Sequence, residues 1–524
     1  MLSKESVEAF LDKPRRSYNY LKRYSRAELL DAIDEAGLPR RLFTTLPRLH
    51  QLVCYLIGLI ERYWLFFLDM GLGKTKIVLD LLTAANKDRS ATDKLQALVF
   101  VPKLVHMGSW DNQVGEHSDH TIELVADTSI ERKWELLANS TADVTVVDYQ
   151  GFGLACTRAF GKSGKRARDD GRVKLLRKKY RFIAFDEIHR CKNRDTMRFG
   201  IMRQLVKDAE YIFGLSGTPA GRNPEDFWAE FFLVDGGETL GETLQMFRQA
   251  FFTAKPNYFG GTDYKFDKTQ NEILRRFLQN RSIAYDSAEC LDLPLLQQSR
   301  KLFTLTKEQR AAYKVIQAGK FIEVDGQRVR LPADGAFHRM REITSGYQRS
   351  RVNGVSVTQH FKDNPKLELL RDTVEDIPAD CKFIVFYDYK PTGDMLQALM
   401  RELKIKALVL DGATKDPLSI ERIFRGDESV RALLANSASG GEGINAQRAN
   451  YEIYFESPVS PITRSQSIKR AHRDGQTRTV FAIDLVAEDT VDESILGFLA
   501  EGRDILASLM QGSPGAQVAL FGRG

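Results

Sequence analysis

The chain has 524 residues, of which 43% are apolar and 28% charged, with a net charge of +6. This composition excludes a disordered or fibrous polymer, and the length allows roughly three domains with more than one core. Cys54, Cys156, Cys191, Cys290 and Cys381 are scattered without paired spacing, which excludes a disulfide framework and a zinc ribbon and fits a reducing compartment.

At the N-terminus, Ser25 and Glu28 have capping-box spacing ahead of the helical stretch to Ile33, and Gly37 and Pro39 end it. Residues 1–44 thus read as a small helical unit. The apolar stretch Leu52–Ile60 is too short to span a bilayer, and no charged-then-apolar leader precedes it. The expectation is a protein with no membrane partner, cytoplasmic in a bacterium or phage-infected host and nuclear in a eukaryote. Next comes Tyr63–Leu68, a buried-strand run, followed by Met70-Gly71-Leu72-Gly73-Lys74-Thr75 and a helical segment. A glycine-rich turn between strand and helix closes backbone N–H groups around phosphates at a helix N-terminus; Lys74 adds a point charge and Thr75 a hydroxyl for magnesium.

Further strand-like runs follow at Ala97–Val101, Val144–Val147, Phe182–Phe185 and Tyr211–Leu215, separated by helical periodicity, as in a parallel sheet covered on both faces. From Arg158 to Arg181, eleven Lys/Arg stand against Asp169 and Asp170, a local +9 that leaves −3 for the rest of the chain. With Gly161, Gly164 and Gly171 this segment reads as a flexible loop, in which Lys162, Lys165, Arg166 and Arg168 are candidates for nucleic-acid phosphates; a solvated loop or import signal has the same composition. The run Phe182–Phe185 ends in Asp186-Glu187-Ile188-His189. Two acids at a strand end divide the work: Asp186 can hold magnesium and Glu187 can orient and deprotonate an attacking water.

The first α/β domain is placed at 45–232. Aromatic and charged segments such as Phe227–Phe232 and Asn271–Leu278 then make 233–355 read as a mostly helical insertion. A second alternating series, Phe383–Tyr387, Ala407–Leu410, Ala432–Ala435, Tyr451–Phe455 and Val480–Val486, places another α/β domain at 356–524. It carries a glycine-rich turn, Ala438–Asn445, and the string Gln466-Ser467-Ile468-Lys469-Arg470-Ala471-His472-Arg473-Asp474-Gly475-Gln476. On a helix Gln466, Arg470 and Arg473 share one face, and two cations there suit an anion.

Taken in order, these segments resemble the motifs of the superfamily-two helicases, specifically SWI/SNF-like double-stranded DNA translocases of a compact bacterial or phage kind. The diagnostic parts are Asp69–Thr75, Asp186–His189, Leu215-Ser216-Gly217-Thr218-Pro219, Gly440–Asn445 and Gln466–Gln476. Echoes at Leu46–Gln51, Phe100–Lys103 with Trp110, and Leu305–Tyr313 extend the resemblance from about Leu46 to Ile495. It implies two RecA-like lobes with a helical insertion between them, ATP with Mg2+, and a monomeric motor on double-stranded DNA that displaces a bound protein or remodels DNA. Catalysis would fall to Lys74, Glu187, Arg470 and Arg473, the arginines acting as fingers. Nucleotide contacts would come from Gln51, Met70, Gly71, Leu72, Gly73, Lys74, Thr75, Gly443 and Gln466, and metal contacts from Thr75 and Asp186. Lys103, Thr218, Gly412 and Ser439 would track DNA phosphates. Phe67 and Leu68 before the phosphate loop, His50 in place of Tyr, and Ile188 in place of a small residue depart from the pattern. The competing readings are a strand-separating DEAH-like helicase and a catalytically silent DNA- or polymerase-binding scaffold.

Overall fold

The computed structural model describes residues 4–13, 16–35, 37, 42–102, 104–160, 165–217, 224–256, 261–319, 321–324, 327–352, 355–437 and 444–502. The chain divides into two compact units at Leu291/Asp292.

The first unit contains β1 (Tyr63–Leu68), β2 (Ala97–Val101), β3 (Ile122–Leu124), β4 (Val144–Asp148), β5 (Thr157–Phe160), β6 (Lys165–Arg168), β7 (Phe182–Asp186), β8 (Tyr211–Ser216), β9 (Phe252–Pro256), β10 (Thr262–Phe266) and β11 (Ser282–Tyr285). Seven of these form one parallel sheet in the order β11-β1-β8-β7-β2-β4-β3. Side chains alternate across it. Leu65 and Phe67 join one buried cluster while Trp64, Phe66 and Leu68 join the cluster on the opposite face. Covering both faces is what produces the uninterrupted apolar runs seen in the sequence.

The second unit contains β12 (Leu296–Phe303), β13 (Phe321–Val324), β14 (Gln327–Arg330), β15 (Tyr347–Val352), β16 (Val355–His360), β17 (Lys382–Tyr387), β18 (Lys406–Leu410), β19 (Val430–Asn436), β20 (Ala449–Tyr454) and β21 (Val480–Ala487). Its parallel sheet runs β12-β21-β20-β17-β19-β18, and β13 to β16 form a smaller separate sheet. The fold is therefore α/β with two parallel-sheet lobes.

The stretch 233–355 differs from a single helical insertion. It is shared between the units and supplies β9 to β15; β11 completes the edge of the first sheet and β12 that of the second. The N-terminal segment packs into the first unit. Its capping box forms, with Ser25 N–H donating to Glu28 Oε2 at 2.7 Å and Glu28 N–H to Ser25 Oγ at 3.3 Å. Tyr18 donates to Glu61 at 2.8 Å, and Lys22 donates to the β11 carbonyl of Ala284 at 2.6 Å. Among the described residues no helix is long and apolar enough to cross a membrane.

Candidate functional site

In the first sheet β1, β8 and β7 are neighbours and parallel, so their C-terminal ends bring three segments to one edge: the turn Met70–Thr75, Ser216, and Asp186-Glu187. Open α/β sheets bind ligands along that edge. The turn opens the helix Lys74–Asn86, with Gly71 at φ +84° and Gly73 at φ +72°. The left-handed backbone favours glycine at 73, and a Cβ there would lie 2.2 Å from Gln51 Nε2 and displace that side chain from the turn. Gln51 binds the turn: its Nε2 donates to the Leu72 carbonyl at 3.2 Å while its Oε1 accepts from Arg48 N–H at 2.8 Å. His50 Nε2 lies 2.9 Å from the same Leu72 carbonyl, so the residue standing in for Tyr braces the turn as well.

Lys74 Nζ lies 3.4 Å from Glu187 Oε1 and donates to the Leu68 carbonyl at 3.2 Å. The departure at Leu68 thus uses only its backbone, its side chain being buried in the core. Glu187 sits at φ +52°, a left-handed backbone uncommon outside glycine and concentrated at functional sites. Its Oε2 accepts from Ser216 Oγ at 3.3 Å and lies 3.2 Å from His189 Nδ1, which is itself 3.2 Å from Ser216 Oγ. Asp186 accepts from the Trp110 indole at Oδ2, 3.1 Å, and from the Tyr149 hydroxyl at its backbone carbonyl, 2.8 Å. Burial first, then the neighbouring Glu187 charge, pushes Asp186 up to about 6, against the pull of Lys74 and the indole. Ile188 is accommodated at Gly214, where a Cβ would lie 2.8 Å from Ile188 Cδ1.

Met70, Gly71 and Thr75 lie in the same turn and first helical residues, partly buried. Thr75 and Asp186 offer hard oxygen donors of the type magnesium takes, and Lys74 with the turn offers the cation and backbone that a phosphate takes. The residues present therefore fit a magnesium nucleotide.

In the second unit the helix Pro461–Ile468 ends before the arginines, which corrects the expected shared helical face. Gln466 lies on the helix, whereas Arg470 and Arg473 lie in successive turns, with Arg470 N–H donating to Ser467 O and Arg473 N–H to Ala471 O. The cause lies beneath them. The buried Glu452 of β20 accepts the Ala471 N–H at 3.2 Å, drawing the backbone out of helical register. Burial pushes Glu452 up to about 8, opposed by the Ala471 N–H and by Arg464 and Arg470. Arg464 is held by Asp484 through two 2.7 Å bonds. Arg470 is 1% exposed and donates through Nη1 to the Ile444 carbonyl at 2.9 Å. The Nε of Arg473 is buried without a hydrogen-bond partner among the described residues, and burial lowers the pKa of its guanidinium, with Glu421 and Asp474 the opposing acids.

Gly161 and Gly164, on which the loop expectation partly rested, lie outside the described residues, but the described part of the basic segment is not a free loop. It forms the β5–β6 hairpin and the helix Asp170–Lys179, and most of its described cations are engaged. Arg166 donates to Thr157 Oγ1 and O, Arg168 to Asp170, Arg172 to the Ala155 carbonyl, and Arg177 and Arg181 pair with Asp208 and Asp93. Lys174 and Lys178 are exposed and make no hydrogen bond or ion pair among the described residues. Gly412 lies exposed in the turn after β18. Lys103, Lys162, Thr218, Ser439, Gly443 and the side chain of Lys165 lie outside the described residues. Sequence reading named no role for Trp110 or His189 at the nucleotide edge; the Asp-Glu-x-His string held the signal for His189.

Residues 50–343 match the model of the SNF2-related domain, and 365–475 that of the helicase conserved C-terminal domain. The chain is 26% identical over 346 residues to the uncharacterized ATP-dependent helicase YqhH of Bacillus subtilis, covering 62% of this chain and 58% of the relative. It is 22% identical over 481 residues to the ATP-dependent helicase fft1 of Schizosaccharomyces pombe, covering 82% and 48%. The Sulfolobus solfataricus SWI2/SNF2 ATPase core, solved in complex with double-stranded DNA, aligns over 91% of this chain and 95% of its own at 20% identity and a TM-score of 0.40. The chain spans about half the length of the curated relatives it matches.

Proposed function

The chain belongs to the SNF2-related family, and we propose that it is an ATP-hydrolysing motor that translocates on double-stranded DNA and displaces what is bound there. The family supports the part of this reading that concerns DNA, and the observation that carries its ATP-hydrolysing part is the 3.4 Å approach of Lys74 to Glu187 beside Asp186 at the phosphate turn. A base, a phosphate cation and a hard-oxygen metal donor converge there, the minimum set for phosphoryl transfer to water.

In this reading the turn Met70–Thr75 takes the triphosphate, with Lys74 exchanging Glu187 for phosphate oxygens. Glu187, freed from Lys74 and oriented by Ser216 and His189, accepts the proton of the attacking water. Thr75 and Asp186 would hold magnesium, which when bound screens the phosphate charge. Gln51 and Gln466 contact the nucleotide, and Arg470 and Arg473 neutralise charge that develops in the transition state. The same reading places Gly443 at the nucleotide and gives Lys103, Thr218, Gly412 and Ser439 phosphate contacts with DNA, which carry no base preference. In the basic segment Lys174 and Lys178 join Lys162 and Lys165 as the cations available to DNA, since Arg166 and Arg168 are bound within their own hairpin and turn.

The test is ATPase rate against double-stranded, single-stranded and branched DNA and RNA, with a triplex-displacement assay beside a forked-duplex unwinding assay. Stimulation by duplex DNA and triplex displacement without fork opening is the expected outcome. Stronger stimulation by RNA, or robust fork unwinding, transfers the chain to the DEAH-like reading; no hydrolysis with any nucleic acid leaves the scaffold reading.

A further inference from the structure

Besides the Glu187 backbone N–H that reaches its carboxylate, Asp186 is fixed from two further directions. Its backbone carbonyl accepts from Tyr149, the first residue of the helix after β4, and its Oδ2 accepts from the indole N–H of Trp110 in the helix Leu104–His117 that follows β2. Because β7 pairs with β2 and β2 with β4, both anchors descend from strands on one side of β7. Trp110 is 2% exposed, so its position is set by core packing and not by solvent.

We propose that Trp110 is a positioning residue, whose indole N–H pins one oxygen of the Asp186 carboxylate so that the other is presented to a divalent cation bound with nucleotide. The inference rests on the reading of Asp186 as a metal carboxylate. An indole suits this task. It is a donor with no acceptor and no charge, so it neither competes for the cation nor repels it, while its body fills the core. Groups that orient metal-binding side chains from behind are worth about 10–100-fold in metal affinity.

The experiment titrates Mn2+ into the protein with ADP present, read by electron paramagnetic resonance and by tryptophan emission. Wild type minus Trp110→Phe isolates Trp110 among the four tryptophans. Mn2+ with ADP is expected to quench an emission component that Trp110→Phe lacks, whereas ADP in EDTA does not. Trp110→Phe is expected to bind Mn2+ about tenfold more weakly or worse, with ADP affinity in EDTA unchanged. Trp110→His, which keeps a ring N–H on a poorer core filler, recovers part of that affinity; a His variant no better than Phe speaks for packing alone and overturns the donor role. If Asp186→Asn binds Mn2+ as wild type does, the metal-site reading itself fails. If Asp186→Asn loses the ion while Trp110→Phe holds it as tightly as wild type, the site stands and the positioning role of Trp110 is refuted.

Discussion

At the nucleotide edge of the first unit the charged groups are paired with one another: Lys74 with Glu187, and Glu187 in turn with Ser216 and His189. In the arginine turns of the second unit the backbone is held firmly, but the Nε of Arg473 is buried without a hydrogen-bond partner among the described residues. In the first region Glu187 offsets the Lys74 charge, and in the proposed reading an arriving phosphate exchanges partners with it. The second keeps a guanidinium Nε buried at a desolvation cost, and in the proposed reading its full interaction is realised only when anionic charge develops.

The sharpest test of that contrast is Arg473→Ala, expected to lower duplex-stimulated turnover by about 10³-fold or more with nucleotide affinity and thermal midpoint little changed. Arg470→Ala is expected to lose comparable activity and also to lower the midpoint, because Arg470 braces the Ile444 carbonyl from within the core. Wild-type turnover in Arg473→Ala would reduce these turns to scaffolding.

Glu187→Gln probes the paired region. Turnover is expected to fall on the order of 10²-fold or more while the variant traps ATP, since an amide keeps the size and shape of the side chain but cannot take a proton. A variant that neither hydrolyses nor binds ATP would show that the Lys74–Glu187 pair holds the turn together, contrary to partner exchange.

A smaller effect separates the foundations of the two regions. Glu452 titrates near 8 in the folded state, above the ordinary carboxylate range. Folding therefore takes up a proton in that window, and stability is lost as pH rises through it. Between pH 5 and pH 8 the thermal midpoint of wild type should fall by more than that of Glu452→Gln, a difference of about 2–4 °C per kcal/mol. Equal falls would mean that Glu452 does not carry the buried proton.

The smallest effect concerns DNA. Replacing Lys174 and Lys178 with Ala should flatten the slope of log affinity against log salt by about two units, whereas Arg166→Ala, a cation spent within its hairpin, should leave it nearly unchanged. The reverse pattern would return the hairpin to the DNA-contacting role first read from its charge.

By itself the sequence determined the strands whose two faces are both buried. Tyr63–Leu68 and Ala97–Val101 coincide with β1 and β2 because a covered parallel strand must be apolar at every position. It determined the phosphate turn for a related reason, since spacing within seven residues is local. Of the edge strands of the two parallel sheets it marked β18, as Ala407–Leu410, while β3, β11 and β12 escaped it. β12, with the sequence LQQSRKLF, is exposed along most of its length and is a strand only because β21 supplies its hydrogen bonds. Tertiary structure likewise decided where the helix before Arg470 stops, because the carboxylate that captures Ala471 N–H comes from β20, nineteen residues earlier. It decided which cations of the basic segment are free, since the partners of Arg177 and Arg181 lie 31 and 88 residues away. A charge count sums residues, whereas pairing depends on distance in space, and the contact of Trp110 with Asp186 across 76 residues has no counterpart in any local pattern.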